Sequence, residues 1–506
     1  MPMGPIVETR SGRVEGFTRD GVLEFRGIPY ARPPVGPLRF CAPQREEPWS
    51  GIRSARDFGP SAPQRPLALP LPGMDVGICD EDCLTLNVTT PAADAGGRPV
   101  LVWIHGGGFV IGAGSQPLYD GAALARRGDL VVVTINYRLG PLGFLHLAEL
   151  CPGLDGAVGN AGLRDQVAAL EWVRENAAVF GGDPERVTIF GESAGGMSVA
   201  TLLAMPMARG LFARAIAQSG AAHNVHDLDT ATRVAAEFLA ELELPPARAA
   251  ETLRELPPDK LLDLHQQTVL RLGSTAGPLP FQPLVDGDSL PEPPLDALRT
   301  GASARVDVLT GTTRDEWRLF QFLDSDLAKL EDASLAKRLS AQLPTVDAAA
   351  LALVYRRARP DAKAADLLFA IETDRVFRIP AIRVAEARAR HSGATFMYRF
   401  DWESPALGGA LGACHAVEIP FVFGALGTPG AEFFAGGGPE AERLCARTMD
   451  AWIAFARNGD PSHPDLPGGR LEAYDLERRT TLVLGRECGI ELDPGSAERR
   501  AWEGIL

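Results

Sequence analysis

The sequence predicts an α/β fold built on one large, mostly parallel sheet flanked by helices. Three observations lead there. Several strand candidates are largely apolar, among them "VLVWI" (100–104), an unbroken apolar run, "LVVVTINY" (130–137) and "RVTIF" (186–190). Strands covered on both faces have this pattern, whereas half-exposed strands alternate. Between the last two lies "GLRDQVAALEWVRENAAVF" (162–180), where Leu163, Val167, Leu170, Val173 and Ala177 recur at helical spacing. Strand, helix and strand in that order require parallel pairing through right-handed crossovers.

The other elements follow along the chain. The N-terminal part alternates short β-like runs with Gly/Pro turns, in "IVETRSGRVEGF" and "LEFRGIPYARPPVGPLRF". Residues 60–78 are Pro-rich and read as loop. "LTLNVTT" (84–90), "RAIAQSG" (214–220), "RVDVLTGTT" (305–313) and "ATFMYRFDW" (394–402) supply further strands. Residues of about 225–300 and 325–395 turn helical and are expected to be insertions crossing the top of the sheet. "EAERLCARTMDAWIAFARNG" (440–459) reads as a helix stopped by Asn458 and Gly459. No linker separates the strands before 220 from those after 305, so residues 1–506 are expected to form a single domain.

Composition narrows the function. The chain has 506 residues, 45% hydrophobic and 23% charged, ample for a large core. Its formal net charge of −15 and lack of a Lys/Arg run argue against a nucleic-acid partner. No apolar run approaches the ~18 residues of a membrane span. The first residues lack the basic and apolar regions of a secretory signal. Seven cysteines are scattered and odd in number, which opposes a disulfide framework and fits a reducing cytoplasm. Cys79 and Cys83 are close, but no second ligand pair completes a metal site there. The acidic surface fits a soluble monomer.

The chemistry concentrates in "FGESAGG" (190–196), where a G-x-S-x-G motif joins a buried strand to a helix. Gly191 and Gly195 suit a turn too sharp for side chains, and Ser193 is then an exposed candidate nucleophile at a helix N-terminus. A serine hydroxyl needs a base, and the base needs an orienting acid. Of the eight histidines, His415 lies in a glycine-rich loop after the "FMYRF" strand. His391, on an Arg-rich helical stretch, and His463, in a Pro-rich turn, read as surface. The acid should follow a strand end, where "TTRDEW" offers Asp315 and Glu316, and spacing does not choose between them. Upstream, "VLVWIHGGGFVIG" is a strand ending in Gly106, Gly107 and Gly108. A carbonyl becoming tetrahedral needs close backbone N–H donors, and glycines permit that approach; Ala194, after the serine, offers another.

With these motifs stand "FRGIPYARPPVGPLRF" (25–40), "EDCLTLNV" (81–88), "NYRLGPLGFL" (136–145), "GTTRDE" (311–316) and "CHAVEIPFVFG" (414–424). In this order, across nearly the whole chain, they resemble the type-B carboxylesterase/cholinesterase family of α/β-hydrolases, especially its bacterial para-nitrobenzyl-esterase-like members. The resemblance implies the α/β-hydrolase fold, with helical insertions over an active-site gorge. It implies Ser193 as nucleophile, Glu316 as acid and His415 as base, so it favours Glu316 over Asp315. It further implies Gly107, Gly108 and Ala194 as oxyanion donors, Glu192 as a carboxylate tuning His415, and no metal or organic cofactor.

Three departures from the family pattern stand out. Where eukaryotic relatives place a cysteine before "PQ", this chain reads "SAPQ" (61–64), so the family's loop disulfide to Cys83 is not expected. Residues 60–82 contain no aromatic residue to hold a quaternary ammonium by cation–π contact. Trp317 follows Glu316, where many relatives carry glycine; it either narrows the pocket or packs under the insertion helices.

The function expected is hydrolysis of short to medium acyl or aryl esters, with a small-molecule ester and water as partners. The rivals are amide, carbamate or long-chain lipid hydrolysis by the same residues, and a catalytically silent binding module of the same fold.

Overall fold

The computed structural model describes residues 4–66, 73–148, 150–244, 246–273, 277, 279–323, 327 and 330–506. Parts of three expected segments therefore lie outside the described residues: 67–72 in the Pro-rich loop, 245, 274–276 and 278 in the first helical insertion, and 325–326 and 328–329 in the second. The strands are β1 (Ile6–Thr9), β2 (Gly12–Glu15), β3 (Phe17–Arg19), β4 (Val22–Pro29), β5 (Ile52–Ser54), β6 (Thr85–Thr90), β7 (Arg98–Ile104), β8 (Val131–Ile135), β9 (Gly182–Glu192), β10 (Arg214–Gln218), β11 (Asp307–Thr313), β12 (Thr395–Phe400), β13 (Thr480–Leu484) and β14 (Gly489–Leu492).

Among the described residues an 11-stranded sheet runs in the order β14-β13-β12-β11-β10-β9-β7-β8-β6-β4-β3, and β1, β2 and β5 make a small second sheet. Pairing is parallel from β8 through β7, β9, β10, β11 and β12 to β13, and antiparallel at both margins.

The continuous apolar runs have a direct cause. Val100, Val102 and Ile104 of β7 pack into one core with Val131, Val133 and Leu163, while Leu101 and Trp103 pack into another with Val132, Phe190 and Trp452. Both faces of the strand are covered over Val100–Ile104, so no position there is left for a polar residue.

The helix expected over 162–180 forms at Ala161–Asn176 and tightens into a 3₁₀ turn at Ala177–Phe180. The late helix spans Pro439–Asn458 and ends on Gly459 at φ 75°, the left-handed stop that glycine accepts. Helices Leu228–Ala240, Pro246–Glu255, Pro258–Leu272 and Pro294–Thr300 fill the stretch between β10 and β11. Four more, interrupted by a π turn at Asp374–Arg378, lie between β11 and β12 and form a third core with Trp317 at its edge. Among the described residues no helix is long and apolar enough to cross a membrane.

The C-terminal ends of parallel strands are where α/β sheets present polar groups to ligands. Here Ile104, Glu192, Gln218, Thr313 and Phe400 end neighbouring strands, and every candidate site residue either ends or follows one of them.

Candidate active site

Ser193 makes the turn between β9 and the helix Ala194–Leu202 by itself, at φ 56° and ψ −125°. Few non-glycine residues occupy that region, and the surroundings must hold it there. Its N–H donates to the Gln218 carbonyl at 2.9 Å. Its flanking glycines are there for space. A Cβ on Gly195 would lie 2.0 Å from the Ile104 carbonyl oxygen, and one on Gly191 would lie 2.6 Å from the same atom. Ser193, half-buried, is left at the N-terminus of the helix.

The glycine run after β7 lies against this turn. A Cβ on Gly106 would be 3.0 Å from Ser193 Cβ. Gly107 and Gly108 take φ of 109° and 61°, in the region that favours glycine. His105 braces the loop: its ring stacks on Tyr137 at 4.5 Å and its Nδ1 contacts the Gly106 carbonyl at 2.9 Å. Burial lowers its pKa to about 4, so it stays neutral. Gln64 closes the far end of the loop, donating to the Gly112 carbonyl and accepting from the Gly112 N–H. Ala194 sits at the first helical position, where an N–H has no intrahelical acceptor.

His415 is 4% exposed, and its two ring nitrogens face two carboxylates. Nδ1 lies 2.7 Å from Glu316 Oε2. Nε2 lies 3.0 Å from Glu192 Oε1, which nevertheless has no hydrogen-bond partner. That contact is electrostatic and off the N–H direction, so Nε2 stays available to another group. No hydrogen bond between the Ser193 hydroxyl and His415 forms among the described residues; such bonds commonly tighten only when substrate is bound.

Glu316 is fully buried, and its other oxygen accepts from Ser219 Oγ at 2.6 Å and from the Thr313 N–H at 2.8 Å. Its neighbour Asp315 turns the other way. Asp315 accepts from Arg314 and from the Ala413 N–H at 3.0 Å, fastening the loop that carries His415. The ambiguity between the adjacent acids is thus one of direction: one points to the imidazole, the other to the loop.

Burial alone would push the His415 imidazole down, but the Glu192 and Glu316 carboxylates outweigh it and hold its pKa up at about 9. A third buried carboxyl, Glu418, completes the cluster. Its Oε1 accepts a long hydrogen bond from Gln218 Nε2, and its Oε2 is unpartnered. Burial first, and then the charges of Glu192 and Glu316, push Glu418 up; burial likewise raises Glu192. Sequence reasoning missed Glu418, Ser219 and Gln218. The signal was a carboxylate three residues beyond His415 in the otherwise apolar "AVEIPF".

An aromatic wall flanks the imidazole. Phe377, carried by the π turn, and Phe320 lie 4.8 and 5.2 Å from His415 between ring centres. Trp317 packs on Phe320 at 5.0 Å and against the insertion helices, so it stands behind this wall. Leu279 approaches Gly108 from the other side.

His391 and His463 have other neighbours. His391 Nε2 meets the Leu298 carbonyl at 2.9 Å. His463, expected at the surface, is buried at 8% exposure because its turn folds back on the helix Pro439–Asn458. Cys83 is a buried free thiol, and Cys79 is a free thiol at the surface.

Comparison with known proteins gives a consistent picture. The carboxylesterase family model matches residues 3–488. The para-nitrobenzyl esterase of Bacillus subtilis is 42% identical over 505 residues, covering 98% of both chains. The phenmedipham hydrolase of Pseudarthrobacter oxydans is 39% identical, covering 96% of this chain and 95% of its own. A carboxylesterase structure from Geobacillus stearothermophilus superposes with a TM-score of 0.89 at 41% identity, over 98% of this chain and 99% of its own. Sequence, fold and the strand-end site therefore agree: this chain belongs to the carboxylesterase family and is a carboxylic ester hydrolase with the α/β-hydrolase fold.

Proposed function

We propose that Ser193, His415 and Glu316 carry out ester hydrolysis as nucleophile, general base and orienting acid. The observation that carries this reading is the 2.7 Å contact of His415 Nδ1 with Glu316 Oε2, on a ring whose Nε2 is left without an aligned hydrogen bond. His415 Nε2 takes the Ser193 proton as the hydroxyl attacks the ester carbonyl. The N–H groups of Gly107, Gly108 and Ala194 receive the oxyanion. As the tetrahedral intermediate collapses, His415 passes its proton to the alcohol oxygen, and the acyl group stays on Ser193. Water, deprotonated by the same imidazole, then releases the acid and restores the hydroxyl. Glu316 fixes the imidazole tautomer and balances its transient positive charge.

The aromatic wall supports short to medium acyl or aryl esters as substrates. Flat rings fit against Phe320 and Phe377, and one relative is named for para-nitrobenzyl esters. The chain works as one catalytic domain, as a monomer in the cytoplasm, a setting supported by its scattered free thiols.

The test is hydrolysis of p-nitrophenyl acetate, butyrate, octanoate and palmitate, beside a matched p-nitroanilide, by wild type and Ser193→Ala. Turnover of the shorter esters, with a loss of at least about 10³-fold in the variant, supports the reading. An active Ser193→Ala protein removes Ser193 from its role, and faster cleavage of the anilide assigns the site to amides.

A further inference from the structure

The helix Pro439–Asn458 and the turn after it bring together three groups outside the active site: Asp450, His463 and Asp465. One ligand atom from each lies within 4.8 Å of the others. His463 is the informative member. It is 8% exposed, yet neither ring nitrogen has a hydrogen-bond partner. A buried polar group left unpaired is costly, and native structures rarely leave one without a reason. The Arg447 carbonyl lies beside the ring without the geometry of a hydrogen bond.

We propose that Asp450, His463 and Asp465 form a binding site for a divalent transition metal of the zinc class. The donor set decides the class. One imidazole with two carboxylates suits zinc, whereas an all-oxygen set would suit magnesium or calcium. Bond lengths near 2.0–2.1 Å place tetrahedral ligand atoms about 3.3 Å apart. The remaining closure is available to Asp465, which is exposed.

Asp450 is already held in a two-pronged contact by Arg127, with Nε to Oδ1 and Nη2 to Oδ2 both at 2.7 Å. Each carboxylate oxygen keeps a second lone pair, so the guanidinium orients this ligand and at the same time weakens the site's attraction for a cation. The second nitrogen of His463 would be held by the Arg447 carbonyl, the usual outer partner of a metal-bound imidazole.

The turn is prepared for this. The Asp460 side chain accepts from the Ser462 N–H at 2.8 Å, Ser462 Oγ accepts from the Leu471 N–H at 2.8 Å, and Leu466 N–H closes on the His463 carbonyl at 3.0 Å. A bound ion would staple residues 460–466 to the helix. Arg127 lies just before the N-terminal end of β8, at the end of the sheet opposite the C-terminal strand ends that carry Ser193. The site therefore acts on stability and not on ester chemistry.

The experiment uses the full chain, freed of metal by chelation, with Zn²⁺ as probe and Mg²⁺ as control. Calorimetric titration should show one saturable Zn²⁺ site per chain, and the melting temperature should rise by about 1–3 °C at saturation. Asp465→Asn, a change at an exposed residue, should weaken binding at least tenfold while p-nitrophenyl ester hydrolysis stays unchanged. His463→Gln should abolish binding. No saturable Zn²⁺ binding, equal binding by wild type and Asp465→Asn, or Mg²⁺ binding as tight as Zn²⁺ would each overturn the assignment.

Discussion

His415 Nε2 lies 3.0 Å from Glu192 Oε1, and Glu192 is the residue directly before Ser193. The proposed base and nucleophile therefore share a buried negative neighbour. With Glu418 and Glu316 it surrounds one imidazole with three carboxyl groups, two of them raised by burial. Such a cluster titrates as a unit. In the proposed mechanism the arrangement stabilises the imidazolium formed during attack, while it keeps the free imidazole protonated to higher pH.

Glu192→Gln removes the largest charge-based contribution that raises His415. The pKa of the imidazole then falls from about 9, and the neutral base is present at lower pH. The acid limb of the kcat/KM profile should move down by about one unit or more. The rate on the plateau should also drop, because the imidazolium loses a partner. An unmoved limb would show that Glu192 does not communicate with the base.

Ser219→Ala tests whether Glu316 must be held. Ser219 Oγ donates to Glu316 Oε1 at 2.6 Å, and Thr313 N–H is the other donor to that oxygen. A hydrogen bond to a charged group is worth roughly 1.5–3 kcal/mol. Loss of this one should lower kcat by about 10- to 100-fold with KM nearly unchanged, and Ser219→Thr should recover part of it. A fall in KM-linked binding alone would place Ser219 in the substrate pocket instead.

Gly107 and Gly108, the proposed oxyanion donors of the loop after β7, should differ. A Cβ on Gly107 would lie 2.2 Å from the Ile111 carbonyl oxygen, whereas one on Gly108 meets nothing nearer than the end of the Leu279 side chain, at 3.3 Å. Both take positive φ. Gly107→Ala has to move backbone and should cost roughly 10²–10³ in kcat, the scale of one lost oxyanion donor. Gly108→Ala should retain more activity. The reverse order, measured on p-nitrophenyl butyrate, would show that the close approach at Gly107 is not what shapes the loop.

Much of this was legible in the sequence, for identifiable reasons. The central strands were readable because both faces of β7 and β8 are covered, which leaves them almost wholly apolar. The Ser193 turn was readable because only glycine fits at Gly191 and Gly195. Ser219 was not, since its partner Glu316 lies 97 residues away and a serine after a strand carries no local signal. Glu418 was hidden because a carboxylate within apolar sequence reads as a solvated edge until Gln218 is placed beside it. His463 was misread for the opposite reason: its Pro-rich surroundings mark a turn, and only the tertiary fold shows that the turn is covered by a helix.

The buried cluster also fixes how stability depends on pH. His415, Glu192 and Glu418 all have folded pKa values above their ordinary ones. For such groups the folded state binds more protons than the unfolded state, so their stabilising effect is full below the unfolded pKa and is lost as pH rises through the folded one. For His415 the window runs from 6.5 to about 9. His105 and His265 work the other way. Burial lowers each from 6.5 to about 4, so they favour folding as pH rises through that range and contribute no further change above it. Above pH 6.5 the cluster therefore dominates, and the melting temperature should fall between pH 7 and pH 9. Glu418→Gln keeps the shape of the side chain and removes its titration, so the variant should show a shallower fall over the same interval. Parallel curves for variant and wild type would mean that Glu418 stays ionised throughout, and the unpartnered Oε2 would then need a buried cation or water to hold it.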